Sequence, residues 1–215
     1  MKKIVLLLIA LHAFVYVQAQ QQTQLGLRAG TALSNWYGMI FDNGQEYQRR
    51  VGYFGGVYVN NHFSEAVSLE TGVYMTSKGF TMTGTFSDPD FTVSGTVNNI
   101  STYIDVPLLL RIYVVEGFHI HGGGQLSYLM SNKIKGEITI NGASQSEEMD
   151  TAEFIEDLDF AAVLGIGYDF PSGLNINVDF DFGVAEVLAV SPYASWDEAN
   201  NRVIKFSIGY SFNKK

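Results

Sequence analysis

The segment Leu174 to Val184, LNINVDFDFGV, constrains the chain more than any other stretch. In it Ile176, Val178, Phe180, Phe182 and Val184 alternate with Asn175, Asn177, Asp179, Asp181 and Gly183. A period of two specifies a β-strand. One face is wholly aliphatic and aromatic, and the other carries carboxylates, amides and a glycine, so the strand separates two very different solvents. Eleven residues at roughly 3.3 Å each, tilted by about 40°, rise about 28 Å, which is close to the hydrocarbon thickness of a bilayer. The pattern predicts a transmembrane β-strand.

Residues 1–19 read as a secretory signal: Lys2 and Lys3, an apolar run from Ile4 to Val17, then Val17, Gln18 and Ala19 as a small-residue cleavage site. The run is too short for a spanning helix. The expected organisation is a signal peptide, 1–19, followed by one barrel domain, 20–215. The chain has no cysteine, so it can form neither a disulfide nor a lipid-linked thioether. Its formal net charge is −9, and removal of Lys2 and Lys3 makes it more acidic still. Nucleic acid is therefore not an expected partner. No later apolar run approaches the length of a membrane helix. An exported chain with 47% hydrophobic residues and 22 glycines is then either a soluble all-β domain or an outer-membrane barrel, and periodicity has to choose.

Eight alternating segments are predicted: Leu25–Ser34, Val51–Asn60, Val67–Met82, Ile100–Val114, Phe118–Lys135, Leu158–Phe170, Leu174–Val184 and Arg202–Phe212. Phe54 and Tyr58 interrupt the polar face of the second. The connections run long, short, long, short, long, short, long. That order suits an antiparallel up-and-down barrel with both ends on one side, short periplasmic turns and long outer loops at 35–50, 83–99, 136–157 and 189–201. A sandwich has no reason for it. The loop 83–99 reads as an extended hairpin beyond the membrane. The loop 136–157 holds Glu137, Glu147, Glu148, Asp150, Glu153, Glu156 and Asp157 without a basic residue, but lacks the regular spacing of a calcium loop. Trp36, Tyr37, Tyr193 and Trp196 at the outer strand ends, and Phe63, Phe118, Phe170 and Phe212 at the inner ends, are expected to form interfacial girdles. Pro107 lacks a ladder donor, so a bulge is expected there, with a shift of phase through Leu108, Leu109 and Leu110.

Three ordered stretches carry a family resemblance: YIDVPLLLR from Tyr103 to Arg111, GGGQLSYLM from Gly122 to Met130, and DFAAVLGIGY from Asp159 to Tyr168 followed by the strand ending at Gly183. They resemble the Bacteroidetes-type outer-membrane β-barrel proteins often labelled porin-like. The resemblance spans essentially residues 20–213. It implies an eight-stranded barrel similar to small OmpA- and OmpX-type proteins, and it brings no catalytic or cofactor-binding residues. One departure is Asn213, Lys214 and Lys215, which follow the terminal aromatic Phe212.

The polar faces place Arg28, Glu70, Lys78, Asp105, Arg111, Asp159, Asp169, Asp179, Asp181 and Lys205 in the barrel interior, where unpaired charges are costly, so a structural salt-bridge network is expected. His119 and His121 share one inward face. They are weak metal candidates, with Asp105 as a conceivable third ligand, and lumen hydrogen bonding is the plainer reading. The expected protein is non-enzymatic, without a cofactor, and monomeric. It would contact outer-membrane lipid and meet an extracellular protein or glycan through 83–99 and 136–157. A solute channel, a lipid-modifying barrel enzyme and a soluble periplasmic ligand-binding barrel are the alternatives.

Overall fold

The computed structural model describes residues 22–37, 46–88, 91–140, 143–188 and 199–212. Their strands are β1 (Gln22–Tyr37), β2 (Glu46–His62), β3 (Val67–Asp88), β4 (Phe91–Val115), β5 (Phe118–Ile140), β6 (Ala143–Asp150), β7 (Leu158–Asp169), β8 (Leu174–Gly183) and β9 (Asn200–Ser211). All pairings are antiparallel. The hydrogen-bonded order is β4-β3-β2-β1-β9-β8-β7-β5-β6, and an additional β4–β5 pairing closes a ring of eight strands with β6 outside it. Closure removes the free edges that an open sheet would expose.

Alternation sets the two faces. Leu108 and Leu110 stand outward, 52% and 45% accessible, while Leu109 between them points inward at 4%. The same outward row continues around the ring through Leu27, Val57, Val73, Ile120, Leu164, Ile176, Phe206 and Ile208. In water such a continuous apolar band would drive association, and in a bilayer it is the natural surface. Because the Ile and Phe faces point outward, the arrangement of a soluble barrel with an apolar ligand cavity does not apply.

The short turns lie at one end. Ser64 Oγ accepts hydrogen bonds from the backbone N–H groups of Ala66 and Val67 at 3.2 and 3.1 Å. Gly117 and Gly173 adopt φ of 76° and 90°, the left-handed region that a side chain disfavours. At the opposite end the strands outrun their expected limits. β3 and β4 remain paired to Asp88 and Phe91, so the 83–99 hairpin is a continuous ladder. The 136–157 connection is also largely ordered strand: β5 continues to Ile140, β6 returns along it from Ala143, and a short 3-10 turn follows at Ala152–Phe154.

Pro107 does not create a bulge. Thr71↔Leu108 and Tyr74↔Asp105 keep one register on the β3 side, and Pro107 pairs with Gln125 on the β5 side. The ladder to β3 is interrupted for two residues without slipping, and Thr71 Oγ1 donates to the Pro107 carbonyl at 2.8 Å, adding a link there. The irregularities of the β4–β5 ladder fall instead at Tyr113/Val115, beside the short turn, and at Thr102/Tyr103, opposite Leu129 and Ser131, where Met130 is the extra residue.

Trp36 departs from the expected girdle: it is 7% exposed and turns into the barrel mouth, whereas Tyr37 is 64% exposed. Phe63, Phe170 and Phe212 are exposed at the short-turn end and Phe118 is half-buried. Tyr193, Trp196, residues 1–19 expected as a signal and most of the 189–201 connection lie outside the described residues.

Candidate functional site: a filled lumen and an ordered outer rim

Inward positions bring the predicted charges together as ion pairs in tiers. In the lower tier, Arg28 on β1 makes a bidentate contact with Glu70 on β3, Nη1–Oε1 2.6 Å and Nη2–Oε2 2.9 Å. Arg111 of β4 closes on the same carboxylate from the other side. One carboxylate thus holds two guanidinium groups, a strong arrangement because each planar fork matches the carboxylate edge. Arg111 also reaches Asp169 at 3.7 Å, and the Tyr113 hydroxyl donates to the same carboxylate at 2.8 Å.

Beside it, His121 Nε2 meets Asp179 Oδ1 at 2.5 Å, and the His119 ring, 5.3 Å from that of His121, lies toward the short turns next to Tyr113. Each imidazole sits over a glycine of β7, since His121 pairs with Gly165 and His119 with Gly167. On the far side the same glycines pair with Asp179 and Asn177 of β8. The H-x-H, G-x-G and N-x-D patterns therefore interlock across three strands, with the glycines making room for both neighbours.

The upper tier centres on two lysines. Lys205 Nζ lies 2.6 Å from Asp181 and 3.5 Å from Asp105, and donates to Gln125 Oε1 at 3.0 Å. Lys78 Nζ lies 3.0 Å from Asp105 and 3.8 Å from Asp159. Asp105 consequently bridges two lysines and is not a third ligand beside His119 and His121; the carboxylate beside His121 is Asp179. Among the described residues no group of three or more metal-ligating side chains converges.

Aromatic rings fill what the charges leave. Phe54 and Tyr58, which blur the polar face of β2 in the sequence, point inward and pack with Ala32, Tyr74 and Val203. Arg28 lies over the Tyr58 ring at 4.4 Å, and Lys78 over the Tyr103 ring at 4.6 Å. The outer mouth is stopped by Trp36, Phe80, Tyr103, Leu129, Ile155, Val187 and Ala199. An Ile155↔Leu188 bridge ties the connections after β6 and β8 together over that plug. The cavity among Arg28, Glu70, Gln125, Asp179 and Lys205 has a volume of about 30 Å³, the space of one water. A wider vestibule of about 360 Å³ opens at the short-turn end beside Gln24, His62, Tyr113 and Asp169.

Beyond the mouth, β3, β4, β5 and β6 continue as a projecting sheet, and there the polarity of the two faces inverts. Lys133, Lys135, Glu137 and Thr139 of β5 occupy the outward row and Ile134, Ile138 and Ile140 the other, with Ile140 opposite Val93; Ile134 is half-buried, whereas Ile138 and Ile140 stand open to solvent. On β6, Glu148 receives Lys133 at 2.6 Å and Lys135 at 2.9 Å. Hydrogen bonds from these two ammonium groups hold its carboxyl well below the usual range, at about 2. Among the described residues β6 pairs only with β5, so its other edge is free.

An eight-stranded ring with an apolar exterior, a charge-filled interior, tight turns at one end and long strands at the other defines a small outer-membrane β-barrel. The chain belongs to the outer membrane protein beta-barrel domain family, whose profile matches residues 18–189. Solved structures with a similar fold include the attachment invasion locus protein Ail of Yersinia pestis, 14% identical over 89% of this chain and 99% of that one, with a TM-score of 0.46. Neisserial surface protein A is 7% identical over 89% and 99% of the two chains, at a TM-score of 0.42. OprG of Pseudomonas aeruginosa is 13% identical over 91% and 99%, at 0.41. No curated protein matches.

Proposed function

We propose that this outer-membrane barrel is a non-enzymatic surface-interaction protein that engages an extracellular protein by strand addition at β6, while its lumen charges serve as a structural plug. The observation that carries the reading is the edge of β6 left unpaired among the described residues, on a sheet that stays hydrogen-bonded beyond the membrane. A free edge offers a row of backbone donors and acceptors, and its side chains supply specificity. Here Ser144, Ser146, Glu148 and Asp150 line the outward row, and Ala143, Gln145, Glu147 and Met149 the inward one. The fitting partner is an extended segment with basic residues toward Glu148 and Asp150 and an apolar residue toward Met149. Residues 1–19 act as a cleaved export signal and residues 20–215 form the barrel domain, which works as a monomer. The ion pairs and rings packed around the 30 Å³ cavity in the lumen speak against solute conduction as the main role.

The test uses the full-length barrel in neutral detergent and a fluorescent peptide of alternating lysine and isoleucine. Salt-sensitive binding is expected. Ser146→Pro and Glu147→Pro are compared because successive residues aim their N–H groups at opposite edges. One variant should abolish binding while the β5–β6 hairpin persists. Equal binding by the wild type and both variants overturns the reading.

A further inference from the structure

Every lumen arginine and lysine described above has a carboxylate partner, and Lys133 and Lys135 share Glu148. Arg202 is different. It lies on β9 at the top of the outward row formed below it by Ile204, Phe206, Ile208 and Tyr210, so it faces the lipid side at the outer end of the apolar belt. Among the described residues it makes no ion pair. Its guanidinium carbon instead lies over two rings, Tyr37 of β1 and Phe182 of β8, at 5.1 Å each.

We propose that Arg202, flanked by Tyr37 and Phe182, binds the phosphate of an outer-leaflet lipid whose acyl chains lie along Phe180, Ile204 and Phe206. A guanidinium held against aromatic rings spends none of its N–H donors on them, and a phosphate accepts those donors two at a time. The neighbours in register complete the geometry. Phe182 and Asn35 stand directly opposite Arg202 on the two flanking strands, and Phe180 and Leu33 stand opposite Ile204 one step deeper. The Phe180 and Phe182 rings are 4.1 Å apart and form a continuous aromatic wall running from the headgroup level into the belt. A cation above an apolar track matches an amphipathic anion. An uncompensated arginine on a lipid face is costly at mid-bilayer and nearly free at the interface, so its depth also agrees with the headgroup zone.

The test is native mass spectrometry of the full-length barrel from neutral detergent, with dioleoyl phosphatidic acid, dioleoylglycerol or inorganic phosphate added. Wild type should retain one phosphatidic acid with about tenfold or greater preference over the diacylglycerol, and inorganic phosphate should not displace it. Arg202→Gln should lose that preference, and Arg202→Lys, which keeps the charge without the fork, should fall between. Tyr37→Leu, which leaves the arginine in place, should weaken retention and serves if Arg202→Gln does not fold, as judged by the heat-dependent gel shift of a folded barrel. Retention unchanged in Arg202→Gln or, should that variant not fold, in Tyr37→Leu overturns the proposal. Displacement by inorganic phosphate at matched concentration overturns the lipid assignment and leaves a free-anion site.

Discussion

His121 reaches Asp179 directly over Gly165, with Nε2 and Oδ1 2.5 Å apart across a strand that contributes no side chain at that position. A methyl group on Gly165 would stand 2.3 Å from His121 Nε2 and 2.7 Å from both Asp179 Oδ1 and the Val178 carbonyl. Gly165→Ala should therefore destabilise the barrel by about 1–3 kcal/mol. Gly124→Ala, at a glycine with open space around its Cβ position, should change stability far less. Urea unfolding in detergent, followed by tryptophan fluorescence and the gel shift, measures both.

Glu70 is shared by Arg28 and Arg111, and all three are buried. Glu70→Ala leaves two guanidinium groups uncompensated in the lumen and should cost about 3–5 kcal/mol, because breaking a buried pair from one side strands the other charge. Glu70→Gln, which keeps the acceptor oxygen, should cost less. The order of the urea midpoints, wild type then glutamine then alanine, checks this.

Thr71 Oγ1 donates to the Pro107 carbonyl where the β3–β4 ladder is interrupted. Thr71→Val should lower stability by about 0.5–1.5 kcal/mol, the range of one hydrogen bond. Hydrogen exchange should quicken at Gly72 and Val73 ahead of the rest of β3.

Glu148 is held at about 2 by hydrogen bonds from Lys133 and Lys135 at a solvated site. Its carboxyl is depressed in the folded hairpin, so the stabilisation is present above the ordinary glutamate range near pH 4.5 and is lost as pH falls through about 2. Carbon-detected NMR titration of the Glu148 carboxyl should give a midpoint well below the ordinary glutamate value of 4.5. Half-molar salt should move that midpoint up toward the ordinary value, since exposed ion pairs are screened.

Planar-bilayer recording should show no stable stepwise conductance for the wild type. Ile155→Ser with Val187→Ser loosens the outer plug, yet should still show none, because the Lys78–Asp105–Lys205 tier closes the lumen beneath. Discrete steps from the double variant would locate the barrier in the plug alone.

Much of this architecture is readable before folding is considered. A period of two between apolar and polar residues, with turn residues at alternating long and short intervals, determines eight membrane-crossing strands and puts Arg28, Glu70, Asp105, Arg111, Asp159, Asp179, Asp181 and Lys205 on one side of them. Each of those facts depends only on neighbours along the chain. Who meets whom inside the ring depends on strand tilt and stagger, which closure alone decides. Asp105 is thereby delivered to two lysines and Asp179 to His121. Closure also explains the inward Phe54 and Tyr58, since a small barrel needs ring volume as well as charge. Trp36 turns inward for the same reason at the mouth. Beyond the mouth the two faces exchange character, and on β5 the extra residue Met130 makes the exchange, because it shifts the phase and turns the even-numbered row that carries Ile134, Ile138 and Ile140 from the outer side to the inner. Period is a local property of the sequence, whereas which face is wet is decided by where the closed barrel leaves the bilayer.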